Sequence, residues 1–426
     1  MYITLSDRGA ASTPATKGRA ISRVSSTVIA MGIVSMFTDI SSESVAAVLP
    51  LYITAAMGMS TIAYGFIDGL YQGVSAVVRI GGGWAADRSD QPKWVAFFGY
   101  GISALARIWL LFATGFGAVT SVVAIDRLGK GIRTAPRDAL ITASSRADNL
   151  GRSFGVHRML DTIGAAVGPL LAFVILWILP GGYRAIFVLS LAFAIIGVLI
   201  LGAVVRNGRP AREAGRRPVR RFWNAGDLKL PGMPRLLVAT GALSLVTVGD
   251  GFIYLVLQAR SSFAAEWFPL LYVGTNVVFL VLAIPLGRCA DRVGRGRVFL
   301  IGHLALFAVY LVTTIPVGGV AITFLCLALL GAFYAATDGV LSALTAQLTP
   351  PESTASGIAA TQTVTAIARL IASAGFGMLW FALGREHAMQ LVAGLAVLAV
   401  VASFVVLRPL LGVLRSPVSV AREFDE

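Results

Sequence analysis

The sequence predicts an all-α membrane protein with twelve transmembrane helices arranged in two pseudo-symmetric six-helix bundles. The first observation is composition: of 426 residues, 57% are apolar and only 13% are charged, whereas a soluble chain carries about 25% charged residues. The second is that the apolar runs are long and continuous, unlike the alternating strands of a membrane β-barrel. The third is an internal duplication. Together they exclude a soluble enzyme, a disordered chain and a fibrous protein.

Twelve apolar runs are long enough to be spans, since a helix needs about 20 residues to cross a bilayer. They lie near residues 26–56, 61–83, 94–114, 117–143, 153–179, 183–205, 236–259, 267–287, 298–316, 320–347, 357–383 and 388–407.

The charge distribution predicts the orientation of these spans. The net charge is +14, but the cations lie in short segments between apolar runs and not on one soluble face, which argues against nucleic-acid binding. Loops 57–60, 115–117 and 317–319 hold no Lys or Arg, whereas the loops on the other side are rich in Arg. The positive-inside rule then predicts a multi-pass protein of the inner (cytoplasmic) membrane with both termini in the cytoplasm.

A basic segment at 206–235 divides the chain into two halves. It is interpreted as a solvated linker that enforces topology, and contact with anionic lipid heads is the alternative. The predicted organisation is a cytoplasmic tail, a six-helix bundle, the cytoplasmic linker, a second six-helix bundle and a second cytoplasmic tail, over residues 1–25, 26–205, 206–235, 236–407 and 408–426.

The two halves share several features. A Gly-x-x-x-Asp-Arg motif follows span two at Gly83–Arg88 and recurs after span eight at Gly287–Arg292. Acidic residues also recur in equivalent spans: Asp39 and Asp250 in the first span of each half, and Asp138 and Asp338 in the fourth. Sequence repeats around a central site are typical of secondary transporters.

These motifs resemble those of the major facilitator superfamily over essentially the whole chain. The copy from Gly287 to Arg297 is nearly complete, whereas the copy at Gly83 departs from the pattern after Arg88. Arg127 and Gly131 resemble the family's Arg-x-x-x-Gly motif in span four. Gly164, Gly168 and Pro169 resemble the Gly-x-x-x-Gly-Pro helix-packing motif of its twelve-helix drug:proton antiporters. The resemblance implies the major facilitator fold and favours export.

A cytoplasmic gate is expected where the duplicated motif meets spans four and ten. The glycines allow close helix approach. Asp87 and Asp291 can accept hydrogen bonds from a helix N-terminus across the two halves, and Arg88 and Arg292 can pair with Asp138 and Asp338 at the ends of spans four and ten. The alternative is that these charges only signal topology. The gate residues are Gly83, Asp87, Arg88, Asp138, Gly287, Asp291, Arg292 and Asp338.

Proton coupling or substrate contact is expected at charged residues inside the spans, since such residues are costly unless they face a cavity or a partner. Asp39 and Glu43 share one helix face, and their mutual repulsion favours protonation of one of them. Arg127 is a possible partner for either. The alternative is a fixed packing role. Asp161 and Arg369 lie on polar stripes of spans five and eleven, and Asp250 on span seven is a possible partner of Arg369. These three residues complete the predicted set.

The function predicted is secondary active transport by alternating access, in the form of proton-coupled efflux of drug-like compounds or metabolites. Uptake of a small metabolite is an alternative, and a non-transporting sensor is a more remote one. The sequence shows no nucleophile with its base and no metal-ligand cluster among its two Cys and three His, so neither an enzyme nor a cofactor or metal is expected. The expected partners are a small-molecule substrate, protons and membrane lipids, and the chain is expected to be a monomer.

Overall fold

The computed structural model describes residues 24–88, 91–145, 149–205, 230–315, 318–350 and 353–413, except for the side chains of 75–77, 79–88, 355, 412 and 413. Throughout these ranges the regular structure is helical. The α-helices are α1 Ser26–Ala46, α2 Leu49–Leu51, α3 Thr61–Arg88, α4 Pro92–Leu110, α5 Gly115–Ala143, α6 Leu150–Ile178, α7 Tyr183–Ala203, α8 Met233–Leu245, α9 Asp250–Ser261, α10 Phe268–Val293, α11 Arg295–Thr314, α12 Val320–Gln347 and α13 Thr354–Val413.

Eight stretches of helix in the described ranges are long and apolar enough to cross a membrane, as a multi-pass membrane protein requires. The count of twelve stays a prediction. α13 covers both predicted spans eleven and twelve and is interrupted at Gly384, whose φ of 78° lies in the left-handed region that glycine adopts without steric cost. α5 has charged residues such as Asp126 and Arg133 along its middle, which lowers its apolar character.

Two predicted spans are broken helices. Span one runs through α1, turns at Ala47–Val48 and continues through α2 into a π-helical turn at Tyr52–Ala56. Span seven leaves the helix after Leu245 and resumes at Asp250. There the Tyr310 hydroxyl accepts from the Val248 backbone N–H and donates to the Val246 carbonyl, both at 2.9 Å. The first helix of each predicted half is thus interrupted.

The helices before residue 205 pack mainly on one another, and so do those after residue 230. α1 packs on α6 and α7, and α5 packs on α3 and α4; α12 packs on α10 and α11, and α13 packs on α8 and α11. The main contacts between these two groups join α3 to α13 and α6 to α10. The division into two bundles at the basic linker stays a prediction.

The two groups meet in an aromatic core near the loop at 57–60. Ring centroids of Tyr64 and Phe252 are 4.7 Å apart, and those of Phe252 and Phe376 are 4.9 Å apart. Farther from that loop, a Cβ atom added at Gly155 of α6 or at Gly287 of α10 would meet nothing within 4 Å. The groups are therefore packed together at the end carrying loop 57–60, and the opposite ends of α6 and α10 have open space beside these glycines.

Candidate functional site

A cavity of about 300 Å³ lies between the two groups of helices. Its wall is rich in tyrosine and carries charges of both signs, and both broken helices contribute to it. The lining residues are Glu43, Ala46, Leu49, Pro50, Tyr64, Tyr71, Gln72, Asp250, Tyr254, Tyr272, Thr275, Asn276, Phe279, Tyr334, Asp338 and Arg369. A concave site of this size with a few converging polar groups is typical of small-molecule binding.

Glu43 is the charged residue that the first group of helices contributes to this wall, and Asp39 lies one turn earlier on α1. The Asp39 carboxyl interacts with that of Asp161 of α6, and the two lie close enough to share a hydrogen bond. Two carboxyl groups can share such a bond only if one holds a proton. Lys130 of α5 interacts electrostatically with both Asp39 and Glu43. The acidic pair predicted on span one therefore has a third carboxylate beside it.

Close packing of α1 on α6 brings these carboxylates together. A Cβ atom on Gly164 would overlap the Met36 carbonyl oxygen, and one on Gly168 would lie 2.9 Å from the Ile40 carbonyl oxygen. The Gly-x-x-x-Gly-Pro segment of the sequence therefore contacts the backbone of the helix that carries Asp39. Pro169 lies inside α6, which continues to Ile178.

Arg127 has a different partner from the one considered in the sequence. Its guanidinium donates to the carboxylate of the adjacent Asp126, with Nε at 3.1 Å, and covers the ring of Tyr71 at 3.8 Å from the centroid. The other oxygen of Asp126 accepts from Arg107 of α4 at 3.0 Å. Glu43 contributes to the electrostatic field at Arg127 without replacing Asp126 as its partner.

Sequence reasoning missed Arg107. The available signal was a single charge within the apolar run 94–114, since an isolated intramembrane cation requires an acid on a neighbouring helix. Close contact of Gly99 with Gly129 brings α4 and α5 together: a Cβ atom on Gly129 would lie 2.6 Å from the Gly99 carbonyl oxygen. Because of that approach, Arg107 reaches Asp126.

Asp250 and Arg369 line the same cavity. Asp250 is the first residue of α9, where the helix dipole favours a negative charge, and its Oδ1 accepts from the Tyr334 hydroxyl at 2.6 Å. The Nε of Arg369 is buried without a hydrogen-bond partner among the described residues. Asp250 thus has Tyr334 as its hydrogen-bond donor and also interacts electrostatically with Arg369, so the pairing of Asp250 with Arg369 stays a prediction.

Polar residues of predicted spans two and eleven meet at the seam between α3 and α13. Ser373 donates to Asp68 at 2.6 Å. The backbones of α3 and α13 lie close together on both sides of that bond. A Cβ atom on Gly65 would lie 2.5 Å from the Ser373 carbonyl oxygen, and a Cβ atom on Gly69 would lie 2.7 Å from the Leu370 carbonyl oxygen.

Among the described residues, the expected gate carboxylates Asp138 and Asp291 contact cations close to them in the sequence. Asp138 accepts from the adjacent Arg137 at 3.0 Å, and Asp291 accepts from Arg295 at 2.9 Å. Asp338 lines the central cavity with Arg369, and its expected pairing with Arg292 stays a prediction. The side chains of Gly83, Asp87 and Arg88 lie outside the described residues.

Metal ligation finds no support in the described part of the chain, where no group of three or more His, Cys, Asp and Glu side chains is placed to hold an ion. Cys289 and Cys326 are free thiols.

The helical architecture and the cavity between its two groups define a membrane transport protein. The family model of the Major Facilitator Superfamily matches residues 31–373. The chain therefore belongs to that superfamily.

Its similarity to individual proteins is more distant. It is 26% identical over 364 residues to an uncharacterized MFS-type transporter of Methanocaldococcus jannaschii, covering 84% of this chain and 89% of the relative. It is 27% identical over 279 residues to the multidrug resistance protein MdtH of Salmonella arizonae, covering 62% of each.

Among solved structures, the chain is similar in fold to the nucleoside transporter NupG. The TM-score is 0.75 at 14% identity, with 89% of this chain and 99% of NupG covered. A variant of the peptide transporter POT gives a TM-score of 0.75 at 15% identity, covering 92% of this chain and 96% of the other. At such identities the likeness shows a common fold and leaves the substrate open.

Proposed function

We propose that the chain is a secondary active transporter that exports a drug-like compound or metabolite in exchange for protons. It does so by alternating access between two six-helix bundles, with twelve spans in the inner membrane and both termini in the cytoplasm. The observation that carries the proposal is the close packing of α1 on α6, which places the carboxyl groups of Asp39 and Asp161 beside each other, one helical turn from the cavity residue Glu43.

A proton shared by two carboxyl groups beside the cavity supports coupling for an electrostatic reason. Loss of that proton leaves two adjacent negative charges, which repel in a region of low dielectric. A cation or a new proton entering the cavity relieves the repulsion. Binding of substrate and binding of a proton then compete through one cluster, which is the requirement for exchange.

The direction of transport is supported by the Gly-x-x-x-Gly-Pro segment and by the distant similarity to MdtH. Proton-coupled uptake uses the same cluster, and it is distinguished by the direction of proton flow.

The test is transport by purified protein in proteoliposomes with an imposed pH gradient. A ligand-induced stability screen across compound classes supplies the labelled substrate. Counter-flow of protons and substrate supports export by exchange, co-flow indicates uptake by symport, and absence of flux indicates a sensor.

Within this assay Asp39→Asn is expected to abolish accumulation against a gradient while downhill substrate exchange continues, because the cavity remains and only the shared proton is lost. Glu266→Gln, a carboxylate substitution in the turn before α10, is the control and should accumulate substrate normally. Full accumulation by both Asp39→Asn and Asp161→Asn would contradict the proposal.

A further inference from the structure

The charges of the cavity wall indicate the kind of molecule that it binds. We infer that the substrate is a small organic zwitterion whose carboxylate pairs with Arg369 and whose amine faces Glu43. This inference rests on the proposed transport function and goes beyond it by stating the substrate's chemistry.

The carboxylate end is argued from Arg369. Its Nε is buried and unpaired among the described residues, and an unsatisfied buried donor is costly. The nearby Asp250 already accepts from Tyr334 at 2.6 Å. A guanidinium presents a planar fork of donors that matches a carboxylate in two parallel hydrogen bonds. A ligand carboxylate would supply the missing acceptor.

The amine end is argued from the balance of charge. Among the described residues, Glu43, Asp250 and Asp338 line the cavity together with one cation, Arg369. An anionic ligand would satisfy Arg369 but add to this excess of negative charge. A simple cation would lower the excess but leave Arg369 unmatched. A zwitterion satisfies both conditions. Its ammonium group faces Glu43, which lies on the part of the wall formed by the helices before residue 205.

The remaining wall supports a compact ligand with an apolar body. Tyr64, Tyr71, Tyr254, Tyr272 and Phe279 line the cavity, and their rings can stack on an apolar group and attract an ammonium ion through their faces. The volume of about 300 Å³ limits the ligand to the size of an amino acid or short peptide derivative.

The test compares three forms of one small molecule: phenylalanine as the zwitterion, its methyl ester as the cation and N-acetylphenylalanine as the anion. Glycylphenylalanine with the same two modifications provides a longer set. Dissociation constants are measured by calorimetry on the purified full chain in detergent. In at least one set the zwitterion should bind about tenfold or more tightly than either modified form, a difference of about 1.4 kcal/mol.

Variants assign the two ends of the ligand. Arg369→Gln should remove the preference over the methyl ester, and Glu43→Gln should remove the preference over the N-acetyl form. Arg408→Gln, an exposed cation on the same helix, should change neither. Retention of both preferences in Arg369→Gln and Glu43→Gln would overturn the assignment.

Equal binding of zwitterion and ester by the unsubstituted protein would overturn the inference, as would absence of binding by every zwitterion. Either result is distinct from failure of the proposed function. Proton-coupled flux of a simple cation found by the stability screen would leave that function intact and refute only the zwitterion. Conversely, zwitterion binding without proton flux would refute only the coupling.

Discussion

At the scale of single residues, the buried charges near the cavity differ in how firmly they are held. Asp126 accepts from both Arg107 and Arg127, and the side chains of all three are at most 5% exposed. In a low dielectric such a cluster is stable only while every charge has its partner. Asp126 therefore has a structural role, which agrees with the proposal that assigns proton exchange to the Asp39–Asp161 pair instead.

Asp126→Asn should destabilise the protein strongly, because two buried guanidinium groups lose their common counter-ion. Removing one partner of a buried ion pair costs about 3–5 kcal/mol. The measurement is denaturant unfolding in detergent. Asp291→Asn is the matched control: Asp291 pairs with Arg295 but its side chain is 62% exposed, so the loss should stay below about 1 kcal/mol. Similar losses in the two variants would show that the Asp126 cluster is not a stabilising centre.

The sequence locates the titratable residues well and their partners poorly. Asp39, Glu43 and Arg127 are identifiable because intramembrane charges are costly. Which cation pairs with which acid depends on how closely neighbouring helices approach. The cations Arg107 of α4 and Arg127, Lys130 and Arg133 of α5 lie near the same few acids. The close contact of Gly99 with Gly129 decides the outcome, and no local pattern reveals it.

At the scale of helices, the resemblance-based motif in span five has a direct structural meaning. Gly164 and Gly168 allow α6 to touch the backbone of α1 next to the residues that carry the proposed coupling. Small residues at this spacing are typical of tightly packed membrane helices.

Gly164→Ala should lower stability and weaken coupling together, since the added methyl group overlaps the Met36 carbonyl oxygen. Overpacking of this kind costs about 1–3 kcal/mol. Gly155→Ala on the same helix is the control, because a Cβ atom there meets nothing within 4 Å and alanine raises helix propensity. Gly164→Ala should be less stable than Gly155→Ala in denaturant unfolding and should accumulate less substrate in the proton-driven assay. Equal stability and accumulation in the two variants would show that α1 adapts to the larger residue.

The breaks in the first helix of each half were not predicted. The sequence shows continuous apolar runs at 26–56 and 236–259, which hydropathy interprets as straight spans. Span seven is interrupted because Tyr310 of α11 provides hydrogen-bond partners for the freed backbone groups, and a contact between distant segments leaves no periodic signal. Discontinuous helices near the membrane centre are a common feature of transporter binding sites, consistent with Asp250 lying at such a break.

At the scale of the whole molecule, the two groups of helices are held together by a narrow seam. Gly65, Gly69 and Gly73 of α3 lie against the backbone or side chains of α13, and Ser373 bridges to Asp68 beside them. If the halves rock during transport, α3 and α13 must separate at the end that carries loop 57–60. The structure is then one of two states, with this end closed.

Gly69→Ala should shift the protein toward the state in which that end is open, because a Cβ atom would lie 2.7 Å from the Leu370 carbonyl oxygen and the closed packing must loosen. The added methyl group destabilises only the closed state. The ratio of open to closed molecules therefore rises according to that difference in free energy between the two states. Spin labels at Ile62 and Leu383, which are 39% and 46% exposed, report the distance between α3 and α13 by pulsed electron spin resonance. A longer-distance population should appear in Gly69→Ala and not in Gly101→Ala, where an added Cβ meets nothing within 4 Å. Loss of stability with an unchanged distance distribution would mean that the seam is a permanent contact, and separation of the halves would then have to occur elsewhere, the contact between α6 and α10 being the next place to label.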